Sequence, residues 1–116
     1  MREILFRGKR VDNGEWAESP YPYGTISGGV VQHDFTSRTV GQFTGLTDKN
    51  GVKIFEGDIV RSRITGEEFI VIWDELYSAF AICNSKVRYG FPKCNVKTYQ
   101  VAGNIHDNPG LIEDGE

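Results

Sequence analysis

Residues 58–73 read DIVRSRITGEEFIVIW, two runs rich in β-branched and aromatic residues on either side of Thr65-Gly66. Runs of that length separated by a glycine-containing turn are the sequence mark of a β-hairpin. A two-residue loop sets Ile64 against Glu67, Arg63 against Glu68, Ser62 against Phe69 and Val60 against Val71. One face then carries Val60, Phe69 and Val71, and the other carries Ile59, Ile70 and Ile72 near Arg61. Apolar groups on both faces suit a strand in a small, strongly bent barrel, or one covered by another segment, rather than a one-sided sheet.

The same punctuation continues in both directions. Residues 3–7 form a short candidate strand, and the turn from Gly8 to Gly14 leads to Trp16. Pro20 and Pro22 then restrict the chain to extended or turn geometry. Tyr23 to Ser27 and Val30 to Phe35 pair across Gly28-Gly29, which supplies positive φ without steric cost. Asp48-Lys49-Asn50-Gly51 is a strong turn signal, with Val52, Ile54 and Phe55 expected to bury behind it. Ala79 to Cys83 is a further strand, followed by a polar loop through Gly90 and Pro92. Val96 to Ala102 closes the sheet, Gly103 turns the chain, and residues 106–109 make another turn before Leu111 and Ile112. No stretch carries the periodicity of a long amphipathic helix, so the fold class is all-β.

Length and composition bound the functional classes. The 116 residues suffice for a self-sufficient core, and the 39% hydrophobic and 25% charged shares exclude a disordered tail. Thirteen basic and sixteen acidic side chains give a formal charge of −3, which supplies no long-range attraction for a polyanion. No apolar run is long enough to cross a bilayer, and the N-terminal MREILFRGKRV lacks the apolar core of a signal peptide. We therefore expect a cytoplasmic protein with no membrane partner, and with Cys83 and Cys94 as reduced thiols.

Candidate chemistry is sparse. His33 adjoins Asp34 and His106 adjoins Asp107, but neighbours on a strand point to opposite faces, and both histidines read as surface or turn residues. The two cysteines and two histidines lack the close spacing of a zinc site, so no metal and no cofactor are expected. Asp48, Glu56, Asp58, Glu67, Glu68, Asp74 and Glu75 read as turn and solvated carboxylates rather than a hydrolytic pair. Walker A, GxGxxG, HExxH and GxSxG patterns are missing from the sequence, which points away from an enzyme. The best binding candidates are Arg61, Arg63, Lys86, Arg88 and Tyr89, with Phe91 and Lys93 nearby. If they converge, they could neutralise phosphates and stack bases. Trp16, Tyr21, Tyr23, Trp73 and Tyr77 read first as core, and second as parts of a peptide-binding cleft.

Three stretches resemble the phage- and prophage-associated YopX family: ILFRG at 4–8, GQFTGLTDKNGVKIFEGDIV at 41–60 and VAGNIHDNPGLI at 101–112. The resemblance implies one domain over 1–116 with an SH3-like β-barrel in 41–112 and an additional N-terminal β portion in 1–40. It supplies no catalytic residues. Gly45, Asp48, Gly51, Glu56, Gly57 and Asp58 match the central stretch and are carried over only as a turn signature. The functional expectation is a non-enzymatic accessory protein in a bacterial host cell that binds another protein, with homo-oligomerisation open. A nucleic-acid-binding module using a basic barrel face is the alternative.

Overall fold

Strands β7 (Asp58–Ser62) and β8 (Glu68–Asp74) form the expected hairpin, but in a register two residues away from the one predicted. Ile59 opposes Ile70, Val60 opposes Phe69, and Arg61, rather than Arg63, opposes Glu68. The loop has four residues, Arg63 to Gly66, because Ser62 closes it. The Ser62 amide donates to Glu67 O at 2.8 Å, and the Ser62 hydroxyl oxygen accepts the amides of Ile64 and Thr65, both at 3.2 Å. A two-residue turn would have forced the β-branched Thr65 to positive φ, whereas the longer loop asks this only of Gly66, at +78°. A slip of two preserves both faces. Val60, Phe69 and Val71 remain together in the core.

We describe residues 4–91 and 96–111 of a computed structural model, in which the chain divides into two compact units, 1–43 and 44–116. In the second unit, β9 (Ala79–Cys83) lies beside β8, and β10 (Arg88–Gly90) lies beside β9. Part of the expected polar loop is thus a strand. The last strand, β11 (Tyr99–Asn104), returns antiparallel to β7, and the sheet order is β10-β9-β8-β7-β11. A short 3-10 turn at Val96–Thr98 replaces the start of the predicted closing strand. Gly103 does not end that strand but sits at a bulge within it. Strand β6 (Lys53–Phe55) contributes Ile54 to a core with Val60, Phe69, Val71, Phe80, Ile82, Phe91 and Tyr99. Val52 stays 47% exposed, against expectation, while Ile54 and Phe55 bury.

The expected SH3-like barrel is not formed. The strands lie in three open sheets ordered β2-β1-β5-β6, β10-β9-β8-β7-β11 and β3-β4, and β10 and β11 end the five-stranded sheet without pairing to each other. Apolar residues on a strand face require cover, and side-chain packing supplies it on the Val60–Phe69–Val71 face without closing the ladder. Ile54 and Leu46 pack on the Val60–Phe69–Val71 face, where they supply the cover that barrel closure was expected to give.

The first unit contains β1 (Phe6–Lys9), β2 (Trp16–Ser19), β3 (Gly24–Ser27) and β4 (Val30–Asp34). Strand β5 (Gly41–Thr47) is divided by the boundary between the units, and its Gly41 and Gln42 oppose Arg7 and Phe6 of β1. β3 and β4 join across Gly28-Gly29 as read from the sequence, with both glycines at positive φ. Phe35 packs against Gly8 of β1. A Cβ at Gly8 would stand 2.6 Å from its ring, so only glycine lets this aromatic pack there. Cys94, Lys93 and Ile112 lie outside the described residues.

Two substitutions should move stability in opposite directions in urea unfolding. Gly8→Ala should lower it by about 1–3 kcal/mol, the usual cost of an overpacked contact. Ser78→Gly should raise it by about 1 kcal/mol, because Ser78 is held at φ +49°.

Candidate functional site

The central signature is built by two buried aspartates. Asp48 Oδ1 accepts the amides of Asn50 at 2.8 Å and Val52 at 3.0 Å, fixing the turn that follows β5. Its Oδ2 accepts the amide of Val101, on β11, at 2.9 Å. Asp58 Oδ2 accepts the Phe55 amide at 2.7 Å and closes the turn through Glu56 and Gly57. Gly57 in turn donates to Val71 O and accepts from Ile105 N, so the second turn stitches β8 to the segment after β11. Gly45, Gly51 and Gly57 all have positive φ. Asp48, Gly51, Gly57 and Asp58 are thus all hydrogen-bonded to backbone groups.

The basic and aromatic candidates occupy separate places. Arg61 donates through Nε to Glu68 Oε2 at 3.1 Å on the face of Ile59 and Ile70. Arg88 is on that same face, opposite Cys83, but three strands away, which at strand spacing is about 14 Å. Its Nη1 contacts Asp74 Oδ2 at 3.2 Å. Tyr89, next along β10, points to the other face, where its ring centroid is 5.9 Å from that of Phe69. Arg63 lies in the β7–β8 turn and Lys86 in the turn before β10, both exposed. Two of the four cations are therefore neutralised by carboxylates.

Sequence reading did not find the most exposed apolar feature. Asp74 opposes Ala79, so Glu75 to Ser78 form the β8–β9 tip, with Leu76 81% and Tyr77 74% exposed. Tyr77, Tyr21, Tyr23 and Trp73 are thus exposed rather than core residues; Trp16 is half-buried, with the Arg7 guanidinium 4.7 Å from its ring centre. The tip is held from beneath. Asp74 Oδ1 accepts the Leu76 amide at 3.0 Å while Oδ2 holds Arg88, and Trp73 packs edge-on against Phe80 at 5.0 Å between centroids. At the other end of β8, Ser62, Thr65, Glu67, Phe69, Tyr89 and Tyr99 line a shallow cleft of about 200 Å³.

In the first unit, Arg10 joins Asp12 at 2.6 Å and His33 Nδ1 at 3.0 Å. The Arg10 hydrogen bond, ahead of its charge, holds the Asp12 carboxyl below the usual carboxylate range. His33 thus contacts residues more than twenty positions away, not the adjacent Asp34. Among the described residues no group of three or more histidine, cysteine or acidic side chains could hold a metal ion. Nor is any described helix long and apolar enough to cross a membrane.

The family model for YopX protein matches residues 6–113, most of the chain. The chain belongs to the YopX family. No curated protein matches it. In this YopX chain the signature stretch carries architecture, and Asp48 shows the physical reason. Burial pushes its carboxyl up, but the amides of Val101, Val52 and Asn50 together with the charge of Lys97 outweigh that effect and leave it below the ordinary aspartate value.

A depressed folded-state value means that the folded protein binds fewer protons than the unfolded chain. This stabilisation is complete above the unfolded aspartate value, about 3.9, and is lost as pH falls through the folded one. Asp48→Asn replaces one acceptor by an NH₂ facing the Val101 amide. It should cost about 1–3 kcal/mol at neutral pH and flatten the acid limb of the stability–pH curve, measured by urea unfolding from pH 7 downward.

Proposed function

We propose that this YopX-family protein is a phage or prophage accessory protein that works in the bacterial host cytoplasm by binding another protein, through the β8–β9 tip. The observation that carries this reading is the adjacent pair Leu76 and Tyr77, both exposed on a turn whose base is fixed by Asp74, Arg88 and the Trp73–Phe80 contact. Aromatic side chains presented on a pre-ordered support lose little entropy on binding and are frequent interface anchors.

The nucleic-acid reading draws less support. Arg61 and Arg88 face Glu68 and Asp74, so a phosphate would have to displace a carboxylate already in place at each. Arg63 and Lys86 remain, on different turns of a chain with net charge −3. Arg88 serves the protein-binding reading instead, as the cation that holds Asp74 beneath the tip.

Affinity capture of the tagged protein from phage-induced lysate, with and without nuclease and at two salt concentrations, tests this. A stoichiometric protein should survive nuclease and high salt, and should be lost with Leu76→Ser/Tyr77→Ser. Recovery that is sensitive to nuclease and salt, and abolished by Arg61→Ala/Arg88→Ala, would instead establish nucleic acid as the partner.

A further inference from the structure

The cleft at the start of β8 takes aromatic rings from three strands. The centroid of Phe69, on β8, is 5.9 Å from that of Tyr89, on β10, and 5.9 Å from that of Tyr99, on β11. β10 and β11 are the two ends of the sheet, and the cleft draws one ring from each. Phe69 and Tyr99 are buried, but Tyr89 stays 45% exposed, so its ring still offers surface to a ligand. The faces of aromatic rings carry negative potential and attract cations.

The cleft's own charge has the same sign. Glu67 is the one charged side chain among those that line it. Its neighbour Glu68 is taken by Arg61 on the opposite face, as alternation along a strand requires, while Glu67 shares the cleft with Phe69. The backbone of Glu67 is pinned on both sides. Its amide donates to Thr65 Oγ1 at 3.1 Å, and its carbonyl accepts the Ser62 amide at 2.8 Å. Its carboxylate has no hydrogen-bond or ion-pair partner among the described residues. Arg61 and Arg63 line a different pocket, with Gln100, so no cation among the cleft's lining offsets Glu67.

An anionic rim beside aromatic walls is complementary to positive charge. The volume of about 200 Å³ is below the range of about 300–1,000 Å³ usual for small-molecule sites, and suits a single large side chain. Of the basic side chains, arginine fits best. Its planar guanidinium stacks on a ring while its edge donates to a carboxylate.

We propose that the cleft receives an arginine side chain of the partner protein, with the guanidinium stacked on Tyr89 and hydrogen-bonded to Glu67. This rests on the reading of the chain as a protein-binding module, and states the chemistry of a contact apart from the tip. One side chain in a shallow cleft binds weakly alone, so the contact serves orientation and choice of partner within a larger interface.

NMR titration of the whole chain with N-acetyl-arginine N-methylamide tests the assignment, with the citrulline analogue as a neutral probe of the same shape. The arginine probe should give saturable, millimolar shifts at the Glu67 and Phe69 amides and the Tyr89 ring, and the citrulline probe should bind about tenfold or more weakly. Glu67→Gln and Tyr89→Leu, verified as folded by circular dichroism, should each weaken the arginine probe by about fivefold or more. Equal binding of the two probes, no saturable shift at these residues, or indifference to both variants would each overturn the proposal. In the lysate capture, Glu67→Gln/Tyr89→Leu should reduce retention of the same protein that the tip variant loses. Full retention by this cleft variant, with loss by the tip variant, would remove the arginine contact and leave the tip reading standing. Reduced retention by the cleft variant, with the tip variant unaffected, would support the arginine contact and remove the tip.

Discussion

The Asp48 carboxylate is the constraint from which the second unit is organised. One oxygen orders the turn between β5 and β6, and the other holds Val101, so a single buried side chain sets a local turn and a long-range strand position together. Val101 opposes Val60, and β11 is therefore placed along β7 by the same carboxylate that shapes the turn. Tyr99, two residues earlier, then reaches the core and the floor of the cleft. A carboxylate suits this post because its lone pairs can accept several amides at once, and those bonds offset the cost of burying its charge.

The second turn extends the arrangement. Asp58 closes the turn onto Phe55, and Gly57 bonds both Val71 and Ile105. The stretch that holds Asp48, Gly57 and Asp58 and the stretch from Val101 to Ile105 are thus physically joined. Asn108 completes the join. Its side chain lies over Gly103, where a Cβ would stand 2.5 Å from Asn108 Oδ1, and its Oδ1 accepts the Asn104 amide.

Local chemistry was legible in the sequence, and distant pairing was not. Gly28-Gly29 and the Asp48 turn declared themselves because their residue types answer to backbone geometry within four positions. Ile54, Phe69 and Val71 were readable as core from their pattern. The bond from Asp48 to Val101 spans 53 positions and left no local mark. The β7–β8 register was misjudged because the Ser62 hydroxyl, not the Thr65-Gly66 dipeptide, sets the loop length. A barrel was expected from apolar residues on two faces, a signal that reports coverage and says nothing about which strands share hydrogen bonds. Tyr77 reads first as a core residue because its composition suits one, and only its place with Leu76 outside the β8–β9 pairing exposes it.

The most direct test of this account is the titration of the Asp48 side-chain carboxyl in the native protein, followed by its ¹³C chemical shift. A midpoint below the ordinary aspartate value of about 3.9, accompanied by a shift of the Val101 amide over the same pH range, is the result expected of a carboxylate committed to backbone donors. A midpoint at or above that value, with the Val101 amide unmoved, would contradict the claim that Asp48 organises the second unit.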